Sequence, residues 1–270
     1  MLASLAGTRA APVLAAQATG SDSQPAPGSD VPAVNSWALS PGGTTPGQPD
    51  NPGSRPNLSY ELAPGATMAD TVTLFNYGNV QLTFAVYATD AFNNSSGAFD
   101  LLPGGQPPRD VGSWVTLPQS HVTVPARSRV DMPIAVSVPA DALPGDHAGA
   151  ILAASQVEGT DSDGRKVVLD RRAGSRVYLR VAGPLRPLLT VDRVHATYHP
   201  EVNPLDGSVD LTYTIRNTGN VRMSAHQALA LKAPLGVELD EQTPKDVSDL
   251  LPGNVVTLRA HFAGVPAVAR

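Results

Sequence analysis

The sequence contains no cysteine, which excludes disulfides, thiolate metal sites and cysteine nucleophiles together. Charge is sparse as well: Asp, Glu, Lys and Arg make up 16% of the 270 residues, against about 25% in ordinary soluble domains. The net charge of −5 argues against a nucleic-acid partner, because neutralising phosphates takes an excess of clustered Lys and Arg. Only three of the 19 cations are lysines. No run reaches the roughly 18 apolar residues of a bilayer-spanning helix, so the sequence shows no transmembrane helix. What is abundant is glycine, 24 residues, and proline, 26. These breakers disfavour long helices, while 41% hydrophobic residues suffice for a core, and the body reads as short strands joined by turns.

The N-terminus has one cation, Arg9, then an apolar run from Ala10 to Ala16 and Ala16-Gln17-Ala18, like the end of a secretory signal. Residues 1–30 are therefore expected to be a signal-like remnant and a disordered linker. The stretches Thr19 to Pro32 and Pro41 to Pro56 are rich in Pro, Gly, Ser, Asp and Thr, and lack the apolar surface that repays ordering.

From Leu58 a period of two sets in, the mark of half-buried strands. Val80, Leu82, Phe84 and Val86 share one face. The pattern recurs at Val122/Val124, Val130 to Val138, Ile151 to Val157, Val167/Leu169 and Val177/Leu179/Val181. About seven strands are expected before Ala182. Pro133 removes a ladder donor and places its strand at a sheet edge or a bulge. Asp163-Gly164 between two extended runs is a hairpin signal. Gly183-Pro184 then punctuates the chain, and further alternating runs follow at Leu189 to Val194, Val209 to Ile215, Val221 to Leu231 and Val255 to Phe262. An internal repeat accompanies the break: Asn76, Gly78, Asn79 and Val80 match Asn217, Gly219, Asn220 and Val221 in one ungapped alignment. The expected architecture is all-β, two immunoglobulin-like β-sandwich domains in tandem at 31–184 and 185–270, the second short of strands.

Few residues advertise chemistry. His195 and His199, four apart on a strand, stand about 13 Å apart, too far to share a metal ion. Asp161-Ser162-Asp163-Gly164 begins like a calcium loop but lacks the later bidentate Glu. Carboxylates at Glu61, Asp90, Asp100, Asp110 and Asp131 form no evident acid and base pair, and there is no metalloprotease, nucleophile-elbow or phosphate-loop motif. No enzyme activity, metal or cofactor is expected. Trp114 reads either as a core aromatic or as a sugar-stacking platform with Tyr87 or Phe92 nearby.

The runs YELAPGATMADTVTLFNYGNVQLTFAVYATDA (60–91), GSWVTLPQSHVTVPARSRVDMPIAVSVPADALPGDHAGAILAA (112–154) and SRVYLRVAG (175–183) resemble the peptidoglycan-binding domain of the WxL-interacting protein family, cell-surface proteins of Gram-positive bacteria. The resemblance covers about 150 residues. It implies an immunoglobulin-like sandwich, secretion and noncovalent attachment to the cell wall. In that family a partner-binding domain and a membrane helix follow, whereas residues 185–270 look like a generic sandwich repeat.

The leading expectation is a non-enzymatic, secreted cell-envelope protein whose first sandwich binds peptidoglycan or another wall polymer. Asp90, Asn93, Asn94 and Trp114 are the candidate ligand-binding residues, a polar and aromatic set suited to amino sugars and short peptides. The alternative is a chaperone-like adaptor that binds another cell-surface protein by strand addition at a sheet edge, or a structural spacer. A cation buried in the interdomain cleft, such as Arg186 or Arg193, favours the adaptor.

Overall fold

Alternation in the sequence becomes alternation of burial. The computed structural model describes residues 36–42, 55–160, 165–203, 205–233 and 237–267, with the side chains of 157–160 and 166–169 left aside. In β3 (Thr67–Asn76) Val72 and Leu74 are buried, and in β4 (Leu82–Asn93) Leu82, Phe84 and Val86 are. Their period of two turns one face of each sheet inward, and each such side chain stabilises the fold by about 1.5–3 kcal/mol. The signal-like segment 1–30, most of the Pro41 to Pro56 stretch and the Asp161 to Gly164 turn lie outside the described residues.

The chain is all-β, two immunoglobulin-like sandwiches in tandem. The first uses β1 (Trp37–Pro41), β2 (Leu58–Leu62), β3, β4, β5 (Phe99–Leu101), a single helical turn α1 (Val111–Trp114), β6 (Val115–Thr116), β7 (His121–Val124), β8 (Ser128–Ser137), β9 (Gly145–Thr160) and β10 (Lys166–Val181). One sheet runs β1-β3-β8-β6; the other runs β2-β10-β9-β4, with β5 and β7 on opposite ends of β4. Between them lie Phe84, Leu58, Leu74, Ile151 and Leu179, all but inaccessible, with the Trp37 ring 4.8 Å from that of Phe84. Pro133 sits where β8 pairs β3 on one side only, since β6 covers just Ala135 and Val136, so its missing N–H leaves the ladder intact.

The second sandwich has a three-stranded sheet, β11 (Leu189–His199), β12 (Gly207–Asn217) and β17 (Val255–Val265). Against it pack two short pairs, β13 (Met223–Ala225) with β16 (Val247–Leu250) and β14 (Leu229–Lys232) with β15 (Glu238–Gln242). Tyr213, Ile215, Leu250 and Val256 form one core cluster; Val209, Phe262 and Val265 form another. No strand pairing among the described residues joins the strands up to Val181 to those from Leu189 on, yet residues from Val34 onward pack as one unit.

The sequence repeat has a physical cause. Asn76, 1% exposed, donates from its amide to the carbonyls of Val80 (2.8 Å), Val124 (3.1 Å) and Pro125 (3.0 Å), and its oxygen accepts the Gly78 N–H (2.9 Å). Asn217, fully buried, donates to Val221 (2.7 Å) and Leu250 (2.9 Å) and accepts from Gly219 (3.0 Å). Each asparagine thus satisfies backbone groups that a sharp bend strips of ladder partners, and ties that bend to a strand on the far side of the sandwich. The equivalence extends beyond the bend, for β3, β4, β7 and β8 pair among themselves as β12, β13, β16 and β17 do.

Candidate functional site

β9 and β10 form one antiparallel hairpin in unbroken register, from Val181 opposite Gly145 to Lys166 opposite Thr160. Only its base belongs to the sandwich. β4 covers β9 from Gly149 to Ala154, and β2 covers β10, in parallel, from Val177 to Val181. Ser155–Thr160 on one arm and the eleven residues Lys166–Arg176 on the other have no strand partner on their outer sides among the described residues. The alternate N–H and C=O groups on such an edge are a template for another strand.

The two faces of β10 differ. Val177, Leu179, Val181 and Ser175 turn into the sandwich and are buried. Arg172, Arg176, Tyr178 and Arg180 lie on the outer face by strand alternation. The Phe99 ring lies beneath the Arg176 guanidinium, 4.2 Å from ring centroid to Cζ, and Arg176 donates to the Tyr178 hydroxyl at 3.2 Å. The cations that composition left dispersed are therefore concentrated here: Arg165, Lys166, Arg171, Arg172, Arg176 and Arg180 fall within sixteen residues, with Asp170 the one acid among them.

At the base of β10 the two sandwiches meet around a cavity of about 350 Å³, lined among others by Tyr60, His147, Tyr178, Arg180 and Arg222. The Asp146 carboxylate accepts from Arg180 (2.7 and 3.0 Å) and from the Arg222 backbone N–H (2.8 Å). Burial alone would raise its carboxyl, but these donors outweigh it and hold the pKa below the ordinary value. Arg222 itself lies over the Tyr178 ring at 4.0 Å. Asn220 closes the joint, donating to Pro144 (2.8 Å) and Pro184 (3.0 Å) and accepting the Arg186 N–H (2.7 Å). Gly145, at φ 129°, leaves the space that the Asn220 carbonyl fills; a Cβ there would collide with it. Arg186 and Arg193, named from sequence as cleft cations, are both exposed; the cations at the cleft are Arg180 and Arg222.

The four candidate ligand residues have definite places. Asp90, 8% exposed, accepts the backbone N–H groups of Arg109 (2.6 Å), Asp110 (2.9 Å) and Gly112 (2.7 Å), pinning the segment that enters α1 onto β4. Asn93, 7% exposed, donates to Gly97 (3.0 Å) and Asp249 (3.1 Å) and accepts the Leu251 N–H (2.8 Å), so it joins the two sandwiches. Asn94 shapes the exposed turn into β5, accepting from Ser96 (3.1 Å) and Ala98 (3.1 Å), and that turn carries Phe99 to Arg176. Trp114 is half-buried against the core, its ring 4.8 Å from that of His147, and it lines a shallow surface hollow with Arg109, Ser113 and Asp141. The structure does not gather these four into one pocket: the polar atoms of Asp90 and Asn93 are spent on backbone, and the hollow at Trp114 is lined by other residues.

His147 holds the same corner. Its Nδ1 is 2.7 Å from Asp110 Oδ1 and its Nε2 2.9 Å from the Leu143 carbonyl. Burial pushes the imidazole pKa down, yet the hydrogen bond to Asp110, the charges of Asp110 and Asp146 and the Leu143 carbonyl together outweigh this and leave it above the ordinary value. A raised folded pKa means that His147 contributes its full stability below about pH 6.5 and loses it as pH rises through the folded value. Urea midpoints measured across that range are expected to fall with rising pH in the native chain and to fall less in His147→Gln. Parallel profiles for the two proteins would show that the pair contributes nothing.

No family model matches the chain, and no curated protein does. Among solved structures it is similar to a chain of the chaperone–tip adhesin complex of CFA/I fimbriae biogenesis, with 8% identity, 78% of this chain and 83% of that one covered, and a TM-score of 0.39. It is similar to a chain of the Salmonella enterica SafA pilin and SafB chaperone complex, with 9% identity, coverage of 86% and 85%, and a TM-score of 0.38. A third likeness is to a chain of the Acinetobacter baumannii CsuC–CsuE chaperone–tip adhesion subunit complex, with 12% identity, coverage of 76% and 87%, and a TM-score of 0.37. These likenesses concern fold alone.

Proposed function

We propose that this protein is a binding module that takes an extended segment of another protein as an added strand along β10. The observation that carries the reading is the projecting hairpin: along Lys166–Arg176 no described strand pairs with the outer side of β10, while the same strand is rooted in the core through Val177, Leu179 and Val181. A rooted edge of that length supplies main-chain hydrogen bonds for affinity, and its alternating faces supply specificity. Binding of this kind involves no bond making, in keeping with a non-enzymatic role in the cell envelope.

Amide hydrogen exchange tests it. In the free protein, about every second amide of Lys166–Arg176 points away from β9 and is expected to exchange fast. Peptides selected from a display library against the whole chain should slow those amides and leave the β8 edge unchanged. Selected peptides that protect any other strand overturn the reading.

A wall polymer is the second reading, supported by the resemblance of residues 60–91, 112–154 and 175–183 to a peptidoglycan-binding domain and by the Trp114 hollow. Co-sedimentation with purified, protein-free sacculi separates the two. Saturable pelleting that Trp114→Ala abolishes, with β10 exchange unchanged, favours the polymer over the strand.

A further inference from the structure

We infer that the outer face of the sheet made by β7, β4, β9 and β10 holds a carbohydrate site, built on Tyr87 and Arg172, that takes a sugar unit of an uncharged, β-linked oligosaccharide. The inference is independent of strand addition along the β10 edge, and the site shares no lining residue with the Trp114 hollow.

Register builds the site. Leu82, Phe84 and Val86 of β4 point into the core, so Thr83, Ala85 and Tyr87 point out. Strand pairing then sets His121, Ala85, Ala154 and Arg172 side by side in one row across β7, β4, β9 and β10. The two middle positions are alanines, and short side chains between taller ones leave a depression. Tyr87 bounds it two residues along in one direction, and the opposed Gln156 and Asp170 bound it in the other. The result is a hollow of about 440 Å³, inside the range of about 300–1,000 Å³ for small-ligand sites. Gly104 and Gly105, in the loop after β5, form its rim. A Cβ on Gly104 would stand 3.3 Å from Arg172 Nη2, so the bare backbone there lets the guanidinium lie against the loop.

The lining selects the class of ligand. The half-buried Tyr87 ring and two alanine methyls offer a small apolar surface. Around it stand groups that donate and accept: the Tyr87 hydroxyl, the Gln156 amide, the His121 imidazole and the Arg172–Asp170 pair. Arg172 donates from Nε (3.0 Å) and from Nη2 to the same carboxylate oxygen, Asp170 Oδ2, so neither bond uses Asp170 Oδ1 or Arg172 Nη1. A pyranose matches this lining, with C–H groups on its faces and hydroxyls around its edge, and β-linkage keeps successive units in a flat ribbon.

Other ligands fit less well. An extended peptide finds no ladder here, because the main-chain groups of a sheet point along it rather than out of its face. Nucleic acid requires cations to neutralise its phosphates, and the guanidinium of this hollow is already matched by a carboxylate. The same match disfavours an acidic sugar, whose charge would meet Asp170 as well as Arg172.

The test titrates the full chain calorimetrically with cellotetraose, chitotetraose and tetragalacturonate at low and raised salt. At least one of the two neutral oligosaccharides is expected to bind with a Kd of about 0.1–1 mM, insensitive to salt, and tetragalacturonate about tenfold more weakly. Tyr87→Ala should weaken binding about tenfold, and Ala154→Leu, which fills the floor from an outer-face position, should abolish it. Arg172→Gln changes only an exposed side chain, so with an unchanged thermal midpoint it tests the site without disturbing the core; a loss of about fivefold is expected. Binding that Trp114→Ala weakens and Arg172→Gln does not would put the sugar in the other hollow and overturn this placement. Tighter binding of tetragalacturonate, fading as salt rises, would overturn selection for an uncharged sugar. No binding of any of the three up to about 10 mM would overturn the site itself. Exchange at the β10 edge amides decides strand addition separately, so failure of one reading leaves the other standing.

Discussion

Asn76→Ala is expected to lower the free energy of unfolding by about 3 kcal/mol, and Asn217→Ala by a similar amount. Neither change removes much apolar surface. Each takes a donor away from buried carbonyls: Val80, Val124 and Pro125 in the first sandwich, Val221 and Leu250 in the second. Leaving a buried acceptor without a donor costs about 1–3 kcal/mol, and both sites are essentially closed to water. Asn76→Asp separates this cause from loss of volume. The aspartate nearly matches the shape but presents oxygen where the carbonyls need N–H, so it should destabilise at least as much as alanine. Urea unfolding monitored by tryptophan fluorescence checks both, with the slope confirming that the transition stays cooperative. A loss under about 1 kcal/mol would mean that water reaches the bend and that the repeated asparagines serve something other than the fold.

Asp90→Ala should be nearly as damaging, at about 2–4 kcal/mol, because one carboxylate accepts three backbone N–H groups, of Arg109, Asp110 and Gly112, in a single short segment. The effect is expected to be local before it is global. With the anchor gone, the segment entering α1 is held by the packing of Val111 and the contacts of Asp110 and Trp114 with His147, and amides of residues 109–114 should exchange faster than the strands around them. Asp90→Asn keeps an acceptor oxygen but replaces the other with a donor facing N–H groups, so a loss of about half that size is expected. Wall binding that disappears in Asp90→Asn while these amides keep their protection would support a ligand-contacting role for Asp90.

The fold class was legible because burial follows the alternation of apolar residues closely, as at Leu82, Phe84 and Val86 or Met132, Ile134 and Val136. The continuity of β10 was not. Val167/Leu169 and Val177/Leu179/Val181 read as two strands, since the positions between them on the same face are Arg171, Ala173 and Ser175, which carry no apolar signal. The strand persists there through its pairing to β9, a partner whose identity no local window reveals. A related blindness affects the polar residues. Asp90 meets amides 19 to 22 positions away, and Asn93 meets groups more than 150 away, so an oxygen-rich loop and a backbone clamp look alike in sequence. One signal was available and unused: Arg172, Arg176 and Arg180 recur every four residues, which on a strand sets them all on one face.

The unbroken pairing of β9 with β10 has a consequence for accuracy. Lys166 lies some eleven residues, about 36 Å, from the first core residue of its strand, Val177, and the pairing with β9 runs without a break over that distance. Sliding the hairpin by one residue would turn Val177, Leu179 and Val181 out to solvent, a penalty of several kcal/mol levied at the base rather than at the tip. The core thus works as the fixed jaw of a calliper, and the spacing read at the far end is as exact as the packing that clamps the near one.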